Sequence, residues 1–356
     1  MRPQSVSSPR SCSQSPDLES QTPAFSGNLR VQMTYPIASA AGGESPTVSI
    51  VVPIYNEELV IEALHSRLLQ VLIPARESFE VVFVNDGSRD KSAEMVDAIC
   101  RADPRFKAIH FSRNFGHQAA VTAGLHVLKG ACAVVIDADL QDPPELILEM
   151  LAKWREGFEV VYAQRSARVG EGLVKRGTAF LFYRTLGKLS EVDVPLDAGD
   201  CCLMDRKIVD LLNSMPERNR YLRGLRAWLG FRQTAVTYDR PARFAGITKY
   251  SSRRMLGLAV DAVFALSKTP LRIATWFGFL ASGASFILGL IFIGERLFGS
   301  GYIARGWAST IVVILFLGGI QLICLGVIGE FVGRIYDEVK QRPLYIVSRS
   351  TGFNPT

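Results

Sequence analysis

VVIDADLQDPP, running from Val134 to Pro144, carries an apolar run of β-formers into three aspartates, a glutamine and two prolines. A short apolar run bounded by turn-forming residues reads as a strand buried on both faces. Its tip is then crowded with like charges. In an extended backbone residues i and i+2 point the same way, so Asp137 and Asp139 are expected to aim two carboxylates into one space while Ala138 turns away. Bare carboxylates that close repel one another. A divalent cation removes the conflict, because Mg2+ or Mn2+ takes one or two carboxylates together with water and phosphate oxygens. The stretch therefore points to a metal bridging to a diphosphate.

Outward from this tip, residues 47 to about 238 repeat one alternation of short β-branched runs and amphipathic helical stretches. VSIVVPIY precedes a helix from Glu58 to about Ile73, FEVVFVND a helix from Arg89 to about Ala102, and FKAIHFS a helix from about Gln118 to Leu128. ACAVVIDAD precedes a helix from about Pro144 to Glu156, and FEVVYAQR follows. The fold class is α/β with a mostly parallel sheet. Ligands of such sheets bind at the carboxyl ends of the strands, so Pro53 to Glu58, Asn85 to Ser88 and the aspartate cluster are expected on one rim. Asp86 in NDGS reads both as a turn former that caps the next helix and as a carboxylate for a nucleotide base or ribose. His117 in NFGHQAA stands where a helix N-terminus can meet phosphate.

The 356 residues divide into five stretches. Residues 1–46, rich in Ser, Pro, Gln and Gly, form a disordered lead, and 47–245 form the catalytic domain. Residues 246–272 have apolar positions at helical spacing with basic ends, as in amphipathic helices lying in a membrane interface. Within 273–335, Ile273 to Gly294 and Ala308 to Gly329 each run about twenty residues without charge, enough to cross a bilayer core. Residues 336–356 form a cytoplasmic tail. Arg253, Arg254, Lys268 and Arg272 before the first span and Arg334, Lys340 and Arg342 after the second outnumber Arg296 and Arg305 between them. That bias expects an inner-membrane, multi-pass protein with the catalytic domain and both termini in the cytoplasm. Recurrent Gly and Ala in the spans suit close helix approach and a homo-oligomer.

Forty basic against 34 acidic residues give a net charge of +6. The basic residues gather toward the membrane side with no aromatic interleaving, which argues against nucleic acid. Six cysteines show no metal spacing and read as reduced thiols.

In order along the chain, IVVPIYNEE, VNDGSRDKS, FGHQAAVTAGL, DADLQDPPELI, GDCCLMDR and FAGITKYSSRRM, followed by two spans, resemble glycosyltransferase family 2. Within it they are similar to the polyprenyl-phosphate glycosyltransferases related to dolichyl-phosphate-mannose synthase and bactoprenol glucosyl transferase. The resemblance implies a GT-A (Rossmann-like) fold and inverting transfer of a hexose from a nucleotide sugar to a membrane polyprenyl phosphate. It implies that Pro53, Tyr55, Glu57 and Asp86 hold the nucleotide and that Asp137, Asp139 and Gln141 organise the metal and diphosphate. Arg165 and Arg176 resemble the arginines that receive the acceptor phosphate, and Lys249 the lysine beside the phosphates. Two departures stand out: Asn85 replaces an aspartate of the family pattern, and Cys201-Cys202 replace an aromatic and an arginine.

A phosphate monoester has a second pKa near 6, so the acceptor oxygen is already anionic and orientation matters more than a base. Asp200 joins Asp139 as a catalytic candidate, as base or as a group steering the acceptor. The favoured donor is UDP-glucose, with undecaprenyl phosphate as acceptor and the lipid bilayer as partner. A GDP-mannose-using mannosyltransferase and a non-catalytic nucleotide-sugar-binding membrane scaffold are the alternatives. A processive polysaccharide synthase would need more spans and a Gln-x-x-Arg-Trp motif, where this chain reads Leu225-Arg226-Ala227-Trp228.

Overall fold

The computed structural model describes residues 45–166, 198–218, 220–239, 269–298 and 307–353. Eight strands form one sheet in the order β7-β5-β6-β4-β1-β2-β3-β8. The first half is β1 (Val48–Ile54), α1 (Ile61–Leu72), β2 (Phe79–Asn85), α2 (Ser92–Ala102), β3 (Phe106–Phe111), α3 (His117–Val127) and β4 (Cys132–Val135). It continues through α4 (Leu146–Arg155), β5 (Val160–Arg165), β6 (Ala198–Asp205), α5 (Arg206–Ser214), α6 (Leu222–Trp228) and β7 (Gln233–Tyr238). Two long helices, α7 (Thr269–Phe298) and α8 (Trp307–Lys340), precede β8 (Val347–Thr351).

Burial on both faces follows from the pleat. Successive side chains of a strand face opposite ways, so Ile50, Val52 and Ile54 of β1 enter one core while Val51 enters the other. Val81 and Phe83 of β2 split from Val82 and Val84 in the same manner. Helix α1 closes the first core with Ile61, Leu64, Leu68, Val71 and Leu72, an apolar stripe at helical spacing. Helix α3 lies so close to β1 on the other face that a Cβ at Gly124 would meet Val51 Cγ1 at 2.3 Å.

The centre of the sheet is parallel: β1 pairs with β2 and with β4, and β2 with β3. The chain steps outward from β1 to β2 and β3, then crosses back to β4 on the other side of β1. That reversal is a topological switch point, where ligands of open α/β sheets bind. Strand β6 is antiparallel to β4 and β5, and β8 is antiparallel to β3. Residues 336–356, expected as a tail, thus contain the end of α8 and an edge strand of the sheet.

Helices α7 and α8 contain two stretches, Thr269–Leu288 and Phe316–Lys340, long and apolar enough to cross a membrane. Among the described residues these helices stay largely uncovered: Trp276, Phe279, Phe286 and Leu322 are 68–71% exposed.

Candidate active site

The rim is set by loops that knit together after β1 and β2. Asn56 takes a positive φ of 53°. Its backbone N–H donates to Ser88 Oγ and its side chain accepts from Arg89 N at 2.8 Å. Glu57 N donates to Ser92 Oγ, Glu58 N to Asp90 Oδ2, and Lys91 N to Glu58 Oε2. Gly87, at φ +68°, lies against the loop after β3, where a Cβ would stand 2.5 Å from Arg113 C. The polar residues of YNEE and NDGSRDKS therefore shape the rim before any ligand arrives.

Asp86 is 3% exposed and does not cap α2. Its two oxygens accept the backbone N–H groups of Phe115 at 2.6 Å and Gly116 at 3.0 Å, which fixes the entrance to α3. Burial pushes its carboxyl up and these two bonds oppose the shift. Pro53 sits on β1 where a missing N–H does no harm. Ile136 N donates to Val51 O, so two residues on, Pro53 faces the side that β4 has already left.

The carboxylates converge, but not by strand alternation. Strand β4 ends at Val135, and Asp139 lies in a turn closed by Gln141 N to Asp139 Oδ1 at 3.1 Å, with Leu140 at φ 56°. Strand alternation does not reach this pair, because the pairing of β4 with β1 stops at Val135 and the chain then turns through residues 138–140. Asp139 is 8% exposed, whereas the Asp137 side chain is 32% exposed in the mouth of the site. Removal from bulk water raises the Asp137 carboxyl; His117 opposes this, and Asp200, Asp142 and Asp139 add to it.

His117, the first residue of α3, stands between two of these groups. Its Nδ1 is 3.9 Å from Asp137 Oδ1 and its Nε2 is 3.7 Å from Asp200 Oδ2. Asp200, on β6, is held by a two-pronged bond from Arg223 of α6, Nε to Oδ1 at 2.7 Å and Nη2 to Oδ2 at 2.9 Å. Burial alone would raise its carboxyl, but Arg223, His117 and Arg226 hold it well below the usual carboxylate range. Arg223 and Arg226 were missed in the sequence. Their signal was the i, i+3 spacing in LRGLRAW, which puts two cations on one helix face. Arg226 is 5% exposed beside Cys202, so α6 supplies cations next to the two cysteines that replace an arginine. Both thiols are buried and raised by burial, and so inert.

Arg165 ends β5, and among the described residues its buried Nε has no hydrogen-bond partner. Nearby, Tyr238 of β7 bonds Asp142 of the aspartate loop. Arg176 and Lys249 lie outside the described residues. Tyr55 lines a cavity of about 400 Å³ at the ends of β2 and β3.

Among the described residues no group of three or more His, Cys, Asp or Glu side chains is arranged to hold a metal by itself. The donor set still suits Mg2+ or Mn2+, which completes its shell with water and phosphate oxygens. Asp137 and Asp139 offer the hard oxygens, and the crowding of carboxylates around Asp137 is the charge imbalance a divalent cation relieves.

The family described as Glycosyl transferase family 2 matches residues 49–212. The chain is 52% identical over 304 residues to the uncharacterized glycosyltransferase YkcC of Bacillus subtilis, covering 85% of this chain and 94% of the relative. It is 40% identical over 311 residues to the SfII prophage-derived bactoprenol glucosyl transferase of Shigella flexneri, covering 86% and 99%. A solved glucosyl-3-phosphoglycerate synthase from Mycobacterium tuberculosis, in complex with Mn2+, UDP-glucose and phosphoglyceric acid, is 21% identical with a TM-score of 0.44, over 62% of this chain and 78% of that one. With the α/β rim and such similarity over most of its length, the chain belongs to glycosyl transferase family 2 and is a glycosyltransferase.

Proposed function

We propose that this glycosyltransferase is membrane-bound, depends on a divalent cation, and moves glucose from UDP-glucose onto polyprenyl (undecaprenyl) phosphate with inversion. The observation that carries the reading is the rim cluster at the switch point, where Asp137 and Asp200 flank His117 and the cations of α6 stand behind. The choice of glucose and a lipid carrier draws on the bactoprenol glucosyl transferase of Shigella flexneri, 99% of which this chain matches. Helices α7 and α8 support attachment to the bilayer that holds such a carrier. Because β8 pairs with β3, the chain returns after α8 to the side of the sheet, as two crossings require.

The donor's diphosphate would meet Asp137 and Asp139, with Gln141 beside them. When bound there, Mg2+ or Mn2+ would offset the negative charge gathering on the departing diphosphate. The acceptor phosphate, already anionic, attacks the anomeric carbon from the opposite face. One carbon–oxygen bond forms as the bond to the diphosphate breaks, and the nucleoside diphosphate leaves with the electron pair. Asp200, pinned ionised by Arg223, is a poor proton acceptor. Its role is to orient Arg223, Arg226 and His117 around the acceptor. Arg165, at the end of β5, brings a guanidinium whose fork matches phosphate in two places.

The test is a donor panel. Membranes containing the full chain are incubated with radiolabelled UDP-glucose, other UDP-hexoses or GDP-mannose, and the lipid product is identified. Glucose on undecaprenyl phosphate is the expected product. Mannose from GDP-mannose would move the protein to the alternative donor, and no lipid-linked sugar from any donor would defeat the reading.

A further inference from the structure

The strand that follows the membrane helices reaches the rim. The cavity of about 400 Å³ at the ends of β2 and β3 is walled on one side by Ser348 and Arg349 of β8 and on the others by Tyr55, Arg89, Arg113 and Asn114. Among the described residues no carboxylate lines it, and three guanidinium groups do. Such a wall suits a ligand rich in hydrogen-bond acceptors.

Arg349 is held in place. Its Nη1 donates to Asp97 Oδ2 at 2.5 Å, and Thr351 Oγ1 donates to Asp97 Oδ1 at 2.7 Å. His110 Nε2 lies 3.0 Å from the same Oδ1, and His110 Nδ1 lies 3.1 Å from Asn85 Nδ2. Asn85 Oδ1 in turn accepts Ser88 N at 3.0 Å. A neutral His110 that donates through Nε2 and accepts at Nδ1 satisfies every member, so one continuous network ties β8 to the loop after β2. Ser348 adds a bond to His110 O at 2.9 Å. The Arg349 side chain is nevertheless 49% exposed. It is anchored by one nitrogen and half open to the cavity.

We infer that Arg349 and Ser348, supplied by the chain after the second long helix, contact the nucleoside of the donor and contribute to donor selection. This rests on the reading of the chain as a nucleotide-sugar transferase. The geometry comes from the sheet. Strands lie about 4.8 Å apart, so from the end of β4, where Asp137 stands, to the end of β3 is roughly 14 Å across β1 and β2. A nucleoside diphosphate with its diphosphate at Asp137 spans that distance and brings its base and ribose to the cavity, past Tyr55. Base carbonyls and ribose hydroxyls are the acceptors that an anchored guanidinium recognises. Anchoring also lowers the ordering cost of that contact.

The test measures equilibrium binding of UDP, UMP, uridine and inorganic phosphate to the detergent-solubilised full chain, as wild type, Ser348→Ala, Arg349→Ala and Arg349→Lys. Arg349→Ala is expected to weaken UDP, UMP and uridine by a common factor of roughly ten, leaving inorganic phosphate unchanged. Ser348→Ala is expected to weaken the same three ligands severalfold, and Arg349→Lys to recover part of the loss. In turnover, the KM for UDP-glucose should rise with kcat at saturating donor unchanged. Equal binding by Arg349→Ala and wild type would overturn the inference while leaving the proposed function standing. A loss confined to UDP and phosphate, or a fall in kcat that tracks a lowered melting temperature and is not relieved by lysine, would also overturn it. Failure of the wild type to bind UDP, UMP or uridine would overturn the inference and the proposed UDP-glucose donor together.

Discussion

Asp200 shows how far a side chain's neighbours decide its chemistry. A carboxylate on a rim invites the role of base, yet the two-pronged bond from Arg223 stabilises its ionised form so strongly that it has little tendency to take a proton. Removing the arginine leaves a buried charge without its partner, typically a loss of about 3–5 kcal/mol when both groups are fully buried and less here, where Arg223 is a third exposed. Arg223→Ala is therefore expected to lower kcat by about 100-fold or more, with Arg223→Lys intermediate, measured as lipid product formed at saturating donor. Wild-type turnover in Arg223→Ala would remove α6 from the site. The placement of Asp137 and Asp139 at the rim was legible in the sequence, because the β-run before them ends at the carboxyl edge of the sheet. Arg223 was not, because its meeting with Asp200 depends on how α6 packs, 23 residues away along the chain. Asp86 was half legible. The turn was evident, but its carboxylate serves the loop after β3 instead of the helix that follows it.

At the scale of elements, β8 and the residues before it strap the end of α8 to the sheet. Tyr345 stacks on Phe111 with ring centroids 5.0 Å apart, and its hydroxyl pairs with His126 Nδ1 at 2.7 Å. Burial first, and then the charge of Arg220, lower the His126 pKa from 6.5 to about 4. The unfolded chain therefore binds the proton first as pH falls. The stability His126 contributes as a neutral ring is full above about 6.5 and is lost between there and about 4. Replacing it by Gln should flatten the fall in melting temperature across that window. An unchanged slope would mean the proton goes elsewhere. The strap was hidden because VSRST is short and mostly polar and offers no apolar run, whereas β1 to β5 announced themselves by theirs. An edge strand buries little of its own side-chain surface and is specified by the edge it joins.

For the molecule as a whole, the question is what covers α7 and α8. Apolar surface on this scale needs lipid or another protein, and two helices of 30 and 34 residues exceed the length a bilayer core requires. The full chain should stay in the membrane pellet through alkaline carbonate washing, and release into the supernatant would contradict spanning. A Cβ at Gly278, Gly283, Gly318 or Gly326 would meet nothing within 4 Å. Among the described residues these positions are open to another helix, and blue-native electrophoresis in mild detergent should find more than one protomer. A lone protomer would contradict the oligomer.

The central claim is that Asp137 and Asp139 hold a divalent cation against the diphosphate of a sugar donor. It is tested by following glucose transfer from UDP-glucose to undecaprenyl phosphate by the purified full chain. Transfer should stop on chelation, return with Mg2+ or Mn2+, and fall by at least about 100-fold in Asp139→Asn. Turnover that survives both chelation and Asp139→Asn would contradict the account.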